Sequence, residues 1–494
     1  MTAPNRPTRL AIAALAVVSI LGACTATAAP TVVPATATAA PATATAPAAT
    51  ATAAVTQAPT ATPAPATDTP AAQTEITVVS LIPGSEQTAF DAFNAQVAQF
   101  EAKYPNIKVN AQEYEWTGPT FAAMLAGGTL PDVFTIPFTD GKSLIEQHQL
   151  ADISTLVAAL PYAAKFNPNV LDAGQDASGN VFAIPTAAYG TGLHYNRSLF
   201  AEAGLDPDKP PTSWAEIRAA AKAIAEQTGM SGYSEMSQSN TGGWMLTTFT
   251  YLLGGRMEEG IGTTAQATLD NAATKTALQT LHDMRWTDNS MGSNFLLDWG
   301  SINQDFAAGK IGMYMSGSDV YTSLKRTNNI SPDDYGLAAL PLADDPNAGI
   351  LGGGTLAAVN VKSSDAAKDA AVKWIDFYYM SKLLNQEAAV LDAKTLFDAG
   401  QPVGVPALPI FDKATLDQSN EWIKSYINVP LDHMSSFTSG VFQQPLVPEP
   451  ATHTQELYAA LDPVVQAVLT DENADIDALL TKVDSDVQAI LAKP

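Results

Sequence analysis

Short apolar runs and segments with helical spacing alternate along the first part of the chain that can build a core. Residues 75–81 form an apolar run that predicts a buried strand, and residues 87–103 carry phenylalanines at helical spacing. Two more short apolar runs, 107–111 and 133–137, predict strands on either side of a helix over 120–126. This βαβαβ order predicts an α/β fold with a mainly parallel sheet covered by helices.

Two chemically useful side chains follow the predicted strands of this first part. Trp116 comes shortly after the second strand, and Asp140 comes shortly after the third. In open α/β sheets, ligands bind beyond the carboxyl ends of the strands. Both residues are therefore candidates for a binding site.

A Gly-flanked tyrosine separates two apolar runs farther along the chain. The runs cover residues 181–185 and 192–195, and Tyr189 lies between them beside Gly190. A Ser/Thr-x-x-Glu pattern then predicts the capped start of a helix at Trp214. We interpret this stretch as a strand that leaves one body and enters another, with Tyr189 in the cleft between them.

The second half of the chain predicts more helices and a second crossing between the same two bodies. A strand over 310–316 is followed by a turn that carries Asp319. Residues 335–341 predict the second crossing, and the glycine-rich run 351–355 predicts a turn before a strand that begins at Leu356.

The first 74 residues predict a secretory signal and a disordered tether rather than a folded domain. Arginines precede an apolar run over 10–21, which is shorter than the roughly 20 residues of a membrane span and is typical of a secretory signal. The sequence around Cys24 (LGAC) resembles the bacterial lipobox, in which the cysteine is lipidated; the alternative is an ordinary signal peptide over 1–24. Residues 25–74 are almost wholly Ala, Thr and Pro and predict a disordered tether.

Composition and charge narrow the range of partners. The 494 residues carry 25 basic and 50 acidic side chains, a formal net charge of -25, which argues against a nucleic-acid partner. An acidic surface favours solubility, and a cationic ligand is the alternative reading. The single cysteine excludes an intramolecular disulfide and a Cys-based zinc site.

Catalytic and cofactor motifs do not stand out. The sequence has no nucleophile elbow, no zinc-protease motif and no complete phosphate-binding loop, and its five histidines lack metal-ligand spacing. Residues 172–179 superficially suggest a calcium loop, but they lack its ligand ladder and predict a polar turn. No cofactor and no metal are expected. The sequence does not exclude a pair of carboxylates that face each other across a cleft, as in a glycosidase.

An ordered set of motifs resembles the extracellular solute-binding proteins of ABC importers, in the family that carries sugars and oligosaccharides. The motifs, in chain order, are Phe100-Glu101-x-x-Tyr104-Pro105, Gly128-Thr129-Leu130-Pro131-Asp132-Val133, Tyr195-Asn196-x-x-Leu199-Phe200, Pro211-Thr212-Ser213-Trp214-x-Glu216 and Phe306-x-x-Gly309-Lys310. Each motif is weak alone, but their order along the chain is specific.

The resemblance implies a two-lobed α/β fold of the type II periplasmic-binding-protein kind, with each lobe a central mixed sheet flanked by helices. The lobes would be interleaved in sequence, and the expected segments are 75–188 plus 338–380 for the N-terminal lobe and 189–337 plus 381–494 for the C-terminal lobe. It also implies a carbohydrate ligand, a di- or oligosaccharide, with the permease subunits of an ABC transporter as partner, no enzymatic activity and a monomeric protein.

Candidate ligand-binding residues come from two arguments. Aromatic rings near loops stack on sugar faces, which points to Trp116, Tyr189, Trp244, Trp299 and Tyr321. The resemblance implies site positions at Asp140, Tyr189, Trp244, Asp319, Gly353 and Gly354. Family members often have a carboxylate where Tyr189 stands. Trp214 and Trp374 lie in periodic helices and are expected in the core.

Other functions remain open at this level. A binding protein could take a non-sugar solute such as a peptide or a polyamine, and the acidic balance suits a cation. A surface-anchored glycoside hydrolase is the alternative from another class. A receptor subunit that feeds a sensor instead of a permease is the third.

Overall fold

The computed structural model describes residues 73–83, 87–114, 116, 118–441 and 443–493. The predicted signal peptide with Cys24 lies outside the described residues, as does the predicted tether up to residue 72. The last residue assigned to that tether, Thr74, is instead the first residue of a strand, because it pairs with Ile107. Within the described ranges no helix is both long and apolar enough to cross a bilayer.

Most strands of the described chain belong to one mixed sheet, and a two-stranded ribbon (β5 and β6) stands apart. The strands are β1 Thr74–Val79, β2 Ile107–Gln112, β3 Val133–Pro137, β4 Ala183–Asn196, β5 Glu258–Glu259, β6 Gln266–Ala267, β7 Met313–Gly317, β8 Tyr335–Ala338, β9 Ile350–Val359 and β10 Leu446–Pro448.

Helices connect and cover these strands. They are α1 Gln87–Lys103, α2 Gly118–Gly127, α3 Phe138–Glu146, α4 Ser154–Ala158, α5 Pro168–Leu171, α6 Arg197–Glu202, α7 Trp214–Thr228, α8 Thr241–Leu252, α9 Ala272–His282, α10 Trp299–Ala307, α11 Tyr321–Asn328, α12 Asp365–Ile375, α13 Ser381–Leu384, α14 Gln386–Asp398, α15 Lys413–Ile423, α16 Ser435–Gly440, α17 Thr454–Thr470 and α18 Ile476–Leu491. Single π-turns extend α9 over Asp283–Thr287 and α12 over Asp376–Met380.

The predicted βαβαβ beginning is confirmed. Strands β1, β2 and β3 are parallel, with β1 between the other two, and α1 has the predicted bounds. The sheet as a whole runs in the order β2-β1-β3-β9-β4-β7. Strand β9 is antiparallel to both β3 and β4, so the sheet is mixed.

One strand, β4, joins two halves of this sheet. Its first part pairs with β9, from Ala183 to Gly190. Its second part pairs with β7 from Thr191 to Tyr195 and with β8 from Leu193 to Asn196. The predicted passage of the chain from one body to another at Tyr189 is therefore built by a single continuous strand, where the sequence predicted two runs.

The glycine-rich run before Leu356 was wrongly predicted as a turn. Gly352, Gly353 and Gly354 lie inside β9 and pair with Gly190, Tyr189 and Ala188 of β4. Glycine is needed here because neighbouring groups occupy the space of a side chain. A Cβ at Gly354 would lie 2.8 Å from Cζ of Phe138.

The first residues of α7 show how side chains close in sequence determine where a helix begins. The Ser213 hydroxyl accepts a hydrogen bond from the Glu216 amide at 3.2 Å, and the Glu216 carboxylate accepts one from the Thr212 amide at 2.7 Å. The helix ends at Gly229, whose φ of 72° lies in the left-handed region. These reciprocal caps confirm the predicted helix start at Trp214.

Aromatic packing fixes α1 and α12 on the first half of the sheet. Phe100 meets Trp374 edge-to-face at 5.2 Å between ring centroids, and Trp374 stacks on Tyr378 at 5.0 Å. Trp374 is fully buried, as expected for a core residue. Trp214, the other expected core tryptophan, is half-buried and stacks on Phe249 at 3.8 Å.

The segment before α15 lies beside the first half of β4. The amide of Leu408 donates to the Ala188 carbonyl at 3.0 Å, and the amide of Asn167 donates to the Ile410 carbonyl at 2.9 Å. The assignment of residues 381–494 to the C-terminal lobe, like the other lobe boundaries, stays a prediction.

Candidate functional site

Tyr189 lies where β4 passes from one half of the sheet to the other. Its strand partner is Gly353, and a Cβ at that glycine would collide with the Tyr189 hydroxyl and lie 2.7 Å from Cζ. The phenol ring therefore folds over the backbone of β9 in space that only glycine leaves free. Its edge-to-face partner is Trp244, at 6.1 Å between centroids and an interplanar angle of 88°.

Trp244 is positioned by the start of α8. The carboxylate of Asp462, on α17, accepts hydrogen bonds from the amides of Asn240 at 2.7 Å and Gly243 at 3.0 Å. Gly243 is required because a Cβ there would meet the backbone of Tyr458 on α17. Within the described chain the indole N–H of Trp244 is buried and has no hydrogen-bond partner.

Three carboxylates are associated with this aromatic pair: Glu449 and Asp319 act on Tyr189, and Asp140 acts on Glu449. Burial raises the pKa of Asp140 to about 6; the Thr139 hydroxyl and the Trp116 indole oppose the rise, and the Glu456 charge adds to it. The Trp116 N–H approaches Asp140 without reaching hydrogen-bond geometry. Burial likewise raises the pKa of Glu449 to about 7, although the Tyr458 hydroxyl donates to it at 3.2 Å.

A third carboxylate, Asp319, faces Tyr189 from the end of β7. Loss of solvent contact raises the pKa of Asp319. Burial raises the pKa of Tyr189, and the charges of Glu449 and Asp319 add to the rise. No lysine or arginine of the described chain is among the groups that shift the pKa of Asp140, Glu449 or Asp319. An anionic solute would therefore meet uncompensated negative charge, whereas a neutral polar or a cationic solute would not.

A cavity of about 780 Å³ adjoins this cluster. It is lined by Thr186–Tyr189 of β4, by Gly354 and Thr355 of β9, by Asp319 and by part of residues 404–441. Pockets of this volume accommodate drug-sized ligands. A smaller cavity of about 350 Å³ is lined by Trp299, Asp319 and Arg326, among others.

The structure brings most of the predicted site residues together. Trp116 and Asp140 act on each other, Tyr189 contacts Trp244 and Gly353, and Tyr189, Asp319 and Gly354 line the large cavity. Trp299 lies apart from the aromatic pair; its side chain is 40% exposed and lines the smaller cavity with Asp319. Tyr321 is 1% exposed and belongs to the core. Whether these residues bind ligand stays a prediction.

Sequence reasoning missed the contribution of the C-terminal part to the site. Glu449 follows β10, which reaches the site because it pairs with β9 from Leu446 to Pro448. Tyr458 and Asp462 then come from α17. A charged residue between two prolines, Pro448-Glu449-Pro450, was the local signal available, but strand pairing over about a hundred residues gives no sequence pattern.

Comparison with known proteins decides the family. The family model for bacterial extracellular solute-binding proteins matches residues 84–382, more than half of the chain. The chain belongs to this family. The match confirms the family that the ordered motifs of this solute-binding protein indicated.

Solved structures share the fold of this solute-binding protein. The cyclic α-maltosyl-1,6-maltose binding protein from Arthrobacter globiformis superposes with a TM-score of 0.65 at 24% identity, covering 85% of this chain and 99% of its own. The sugar-binding protein MalE from Xanthomonas citri gives 0.64 at 19% identity, with coverages of 85% and 98%. UgpB from Mycobacterium tuberculosis, in complex with glycerophosphocholine, gives 0.63 at 18% identity, with coverages of 84% and 98%.

Proposed function

We propose that this solute-binding protein captures a carbohydrate, a di- or oligosaccharide, outside the membrane and delivers it to the permease of an ABC transporter. It performs no chemistry on the solute. The observation that carries the proposal is the Tyr189–Trp244 pair at the strand crossing, bordered by carboxylates. Two structural relatives support the same class of ligand: the protein from Arthrobacter globiformis binds cyclic α-maltosyl-1,6-maltose, and MalE from Xanthomonas citri is a sugar-binding protein.

The chemistry of this pair suits a sugar. Sugar faces carry C–H groups that pack on aromatic rings, and sugar hydroxyls donate to carboxylates and accept from N–H groups. Trp244 offers both a ring and an unpaired indole N–H, while Asp140, Asp319 and Glu449 offer acceptors. Such a mixture of aromatic surface and a few polar groups is typical of small-molecule sites.

A second candidate is a solute with a protonated amine, such as a polyamine. It is favoured by one observation, the group of carboxylates whose pKa values are raised without a neighbouring lysine or arginine. A bound ammonium would stabilise their ionised forms. Binding of such a solute would rise with pH between about 5 and 8 as these carboxylates ionise, and it would weaken with salt.

The parts of the chain outside the described residues complete the proposal. Lipidation of Cys24 would anchor the protein to the membrane, and the Ala/Thr/Pro-rich tether would let the binding domain reach the permease. The lobes would close around the ligand by bending near Tyr189. We further propose that the protein acts as a monomer.

A screen of solutes tests the function. Purified protein is examined by thermal shift and then by calorimetry with mono-, di- and oligosaccharides, spermidine, a peptide mixture and glycerophosphocholine. A shift with a sugar that Trp244→Ala reduces supports the carbohydrate assignment, whereas a shift with spermidine alone favours the amine. Chromatography of the same sugars after incubation separates binding from hydrolysis, because a hydrolase would release products. A protein that responds to no sugar contradicts the proposal.

A further inference from the structure

The large cavity has a second wall that a sugar does not need. Tyr189 and Asp319 form one end, but most of the lining comes from residues 404–441. Most side chains of this wall are apolar, and they include Val405, Pro406, Leu408, Ile427, Phe437 and Val441. A smaller polar part of the wall is formed by Lys413, Thr415, Asp417, Ser419, Asn420 and Thr438.

This wall is built into the fold beside β4. Leu408 is tied to the strand through the hydrogen bond between its amide and the Ala188 carbonyl. Asn428 ties the middle of the segment 404–441 to the residues just before it, since its side chain accepts from the Val403 amide at 2.8 Å and donates to the Gln401 carbonyl at 2.9 Å. Gly404, with a φ of 87°, follows directly and opens the segment. The wall is therefore a fixed surface adjacent to Tyr189.

The apolar part of the wall does not match a sugar chain. No tryptophan of the described chain lines this cavity. Sugar hydroxyls placed against aliphatic side chains would lose their hydrogen bonds to water without replacement, which is unfavourable. An apolar group placed there would instead gain the full benefit of leaving water.

We propose that the solute is amphipathic: a polar, sugar-like head lies at Tyr189 and Asp319, and an alkyl or aryl substituent occupies the wall formed by residues 404–441. This inference rests on the proposed function for its head group and adds the chemical class of the tail. The common cavity supports it, because the polar end and the aliphatic wall are continuous at Ala187 and Ala188.

Matched glycosides test the tail. Calorimetry measures the affinity of methyl, butyl and hexyl β-maltosides, each below the concentration at which it forms micelles. Wild-type protein should gain roughly fourfold in affinity per buried methylene. Ala407→Trp, at an exposed position of the wall, should remove most of this gain by filling the space. Leu391→Trp, on α14 at a leucine that is 60% exposed and outside the cavity, is the matched control and should keep it.

A neutral dye tests the wall without any sugar. Nile red should bind to wild type and to Leu391→Trp and should bind much more weakly to Ala407→Trp. Circular dichroism verifies folding, and Val405→Asn replaces Ala407→Trp if the latter unfolds, since it makes the same wall polar.

The outcomes separate this inference from the proposed function. If methyl maltoside binds and longer chains bind no better, the apolar tail is refuted while sugar capture stands. If no maltoside binds, the proposed sugar-like head group is refuted, and Nile red binding then tests the apolar wall by itself. Equal dye binding by wild type and the wall variants overturns the inference.

Discussion

A buried carboxyl outside the site makes the stability of the protein depend on pH. Glu235 precedes α8 and is 3% exposed. Its carboxyl accepts hydrogen bonds from the Tyr233 hydroxyl at 3.0 Å and from the Met236 amide at 3.1 Å. Burial raises its pKa to about 8, against these two hydrogen bonds. We predict that Glu235→Gln removes a pH-dependent loss of stability.

The size of the effect follows from linkage. Below pH 4.5, the ordinary pKa of a glutamate, Glu235 is protonated in both the folded and the unfolded state. As pH rises to about 8, the unfolded state loses the proton while the folded state keeps it, so the free energy of unfolding falls by about 1.4 kcal/mol per pH unit. Over the interval from 4.5 to about 8, the loss reaches about 5 kcal/mol. The glutamine variant has no proton to lose.

Urea unfolding at several pH values measures this difference. Wild type and Glu235→Gln are compared at pH 5, 6.5 and 8, and the difference between their free energies of unfolding should move in favour of the variant as pH rises. Glu226→Gln, at a side chain that is 59% exposed on α7, controls for the change in net charge. A difference between wild type and Glu235→Gln that stays constant from pH 5 to 8 would refute the reasoning, because Glu235 would then be ionised inside the folded protein.

Three further predictions concern the site. Trp244→Ala should weaken sugar binding by at least ~1 kcal/mol, about fivefold in Kd, in calorimetry; unchanged affinity with an unchanged melting temperature would remove Trp244 from the site. Gly353→Ala should weaken the same binding because its methyl group displaces the Tyr189 ring, and it should add little in a Tyr189→Ala background; additive effects would argue against this contact. Asp462→Ala leaves two amides of the α8 start unpaired and should cost roughly 1–3 kcal/mol in urea unfolding, and Asp462→Asn should cost less; wild-type stability in both would contradict the role of Asp462.

The sequence was sufficient where structure depends on neighbours along the chain. Helix α1 has the predicted bounds because its apolar positions alone decide which face is buried. The start of α7 followed from Ser213 and Glu216, which cap the helix with their own side chains. Strand β3 was predicted residue for residue, since a short apolar run between turn signals has few alternatives.

The prediction failed where contacts between segments far apart in the chain determine the local structure. Glycine at 352–354 signals a turn by local propensity, but the ring of Tyr189 and the side chain of Leu446 occupy the space where side chains would stand, so the run is a strand. Glu449 and Asp462 reach the site through β10 and α17, whose positions depend on contacts made more than ninety residues away. The aliphatic wall of residues 404–441 gave no motif, because its residues become a surface only after they pack beside β4.

The place of β9 in the sheet has a consequence for synthesis and export. This strand lies between β3 and β4 and completes their pairing, yet it spans Ile350–Val359, far behind both of them in the chain. A nascent chain that has emerged only as far as β8 cannot close the first half of the sheet. Pairing over such long sequence separations is slow to form. The first half of the sheet therefore closes only late in synthesis, and such a delay would favour export of an unfolded chain by the signal peptide predicted over residues 1–24.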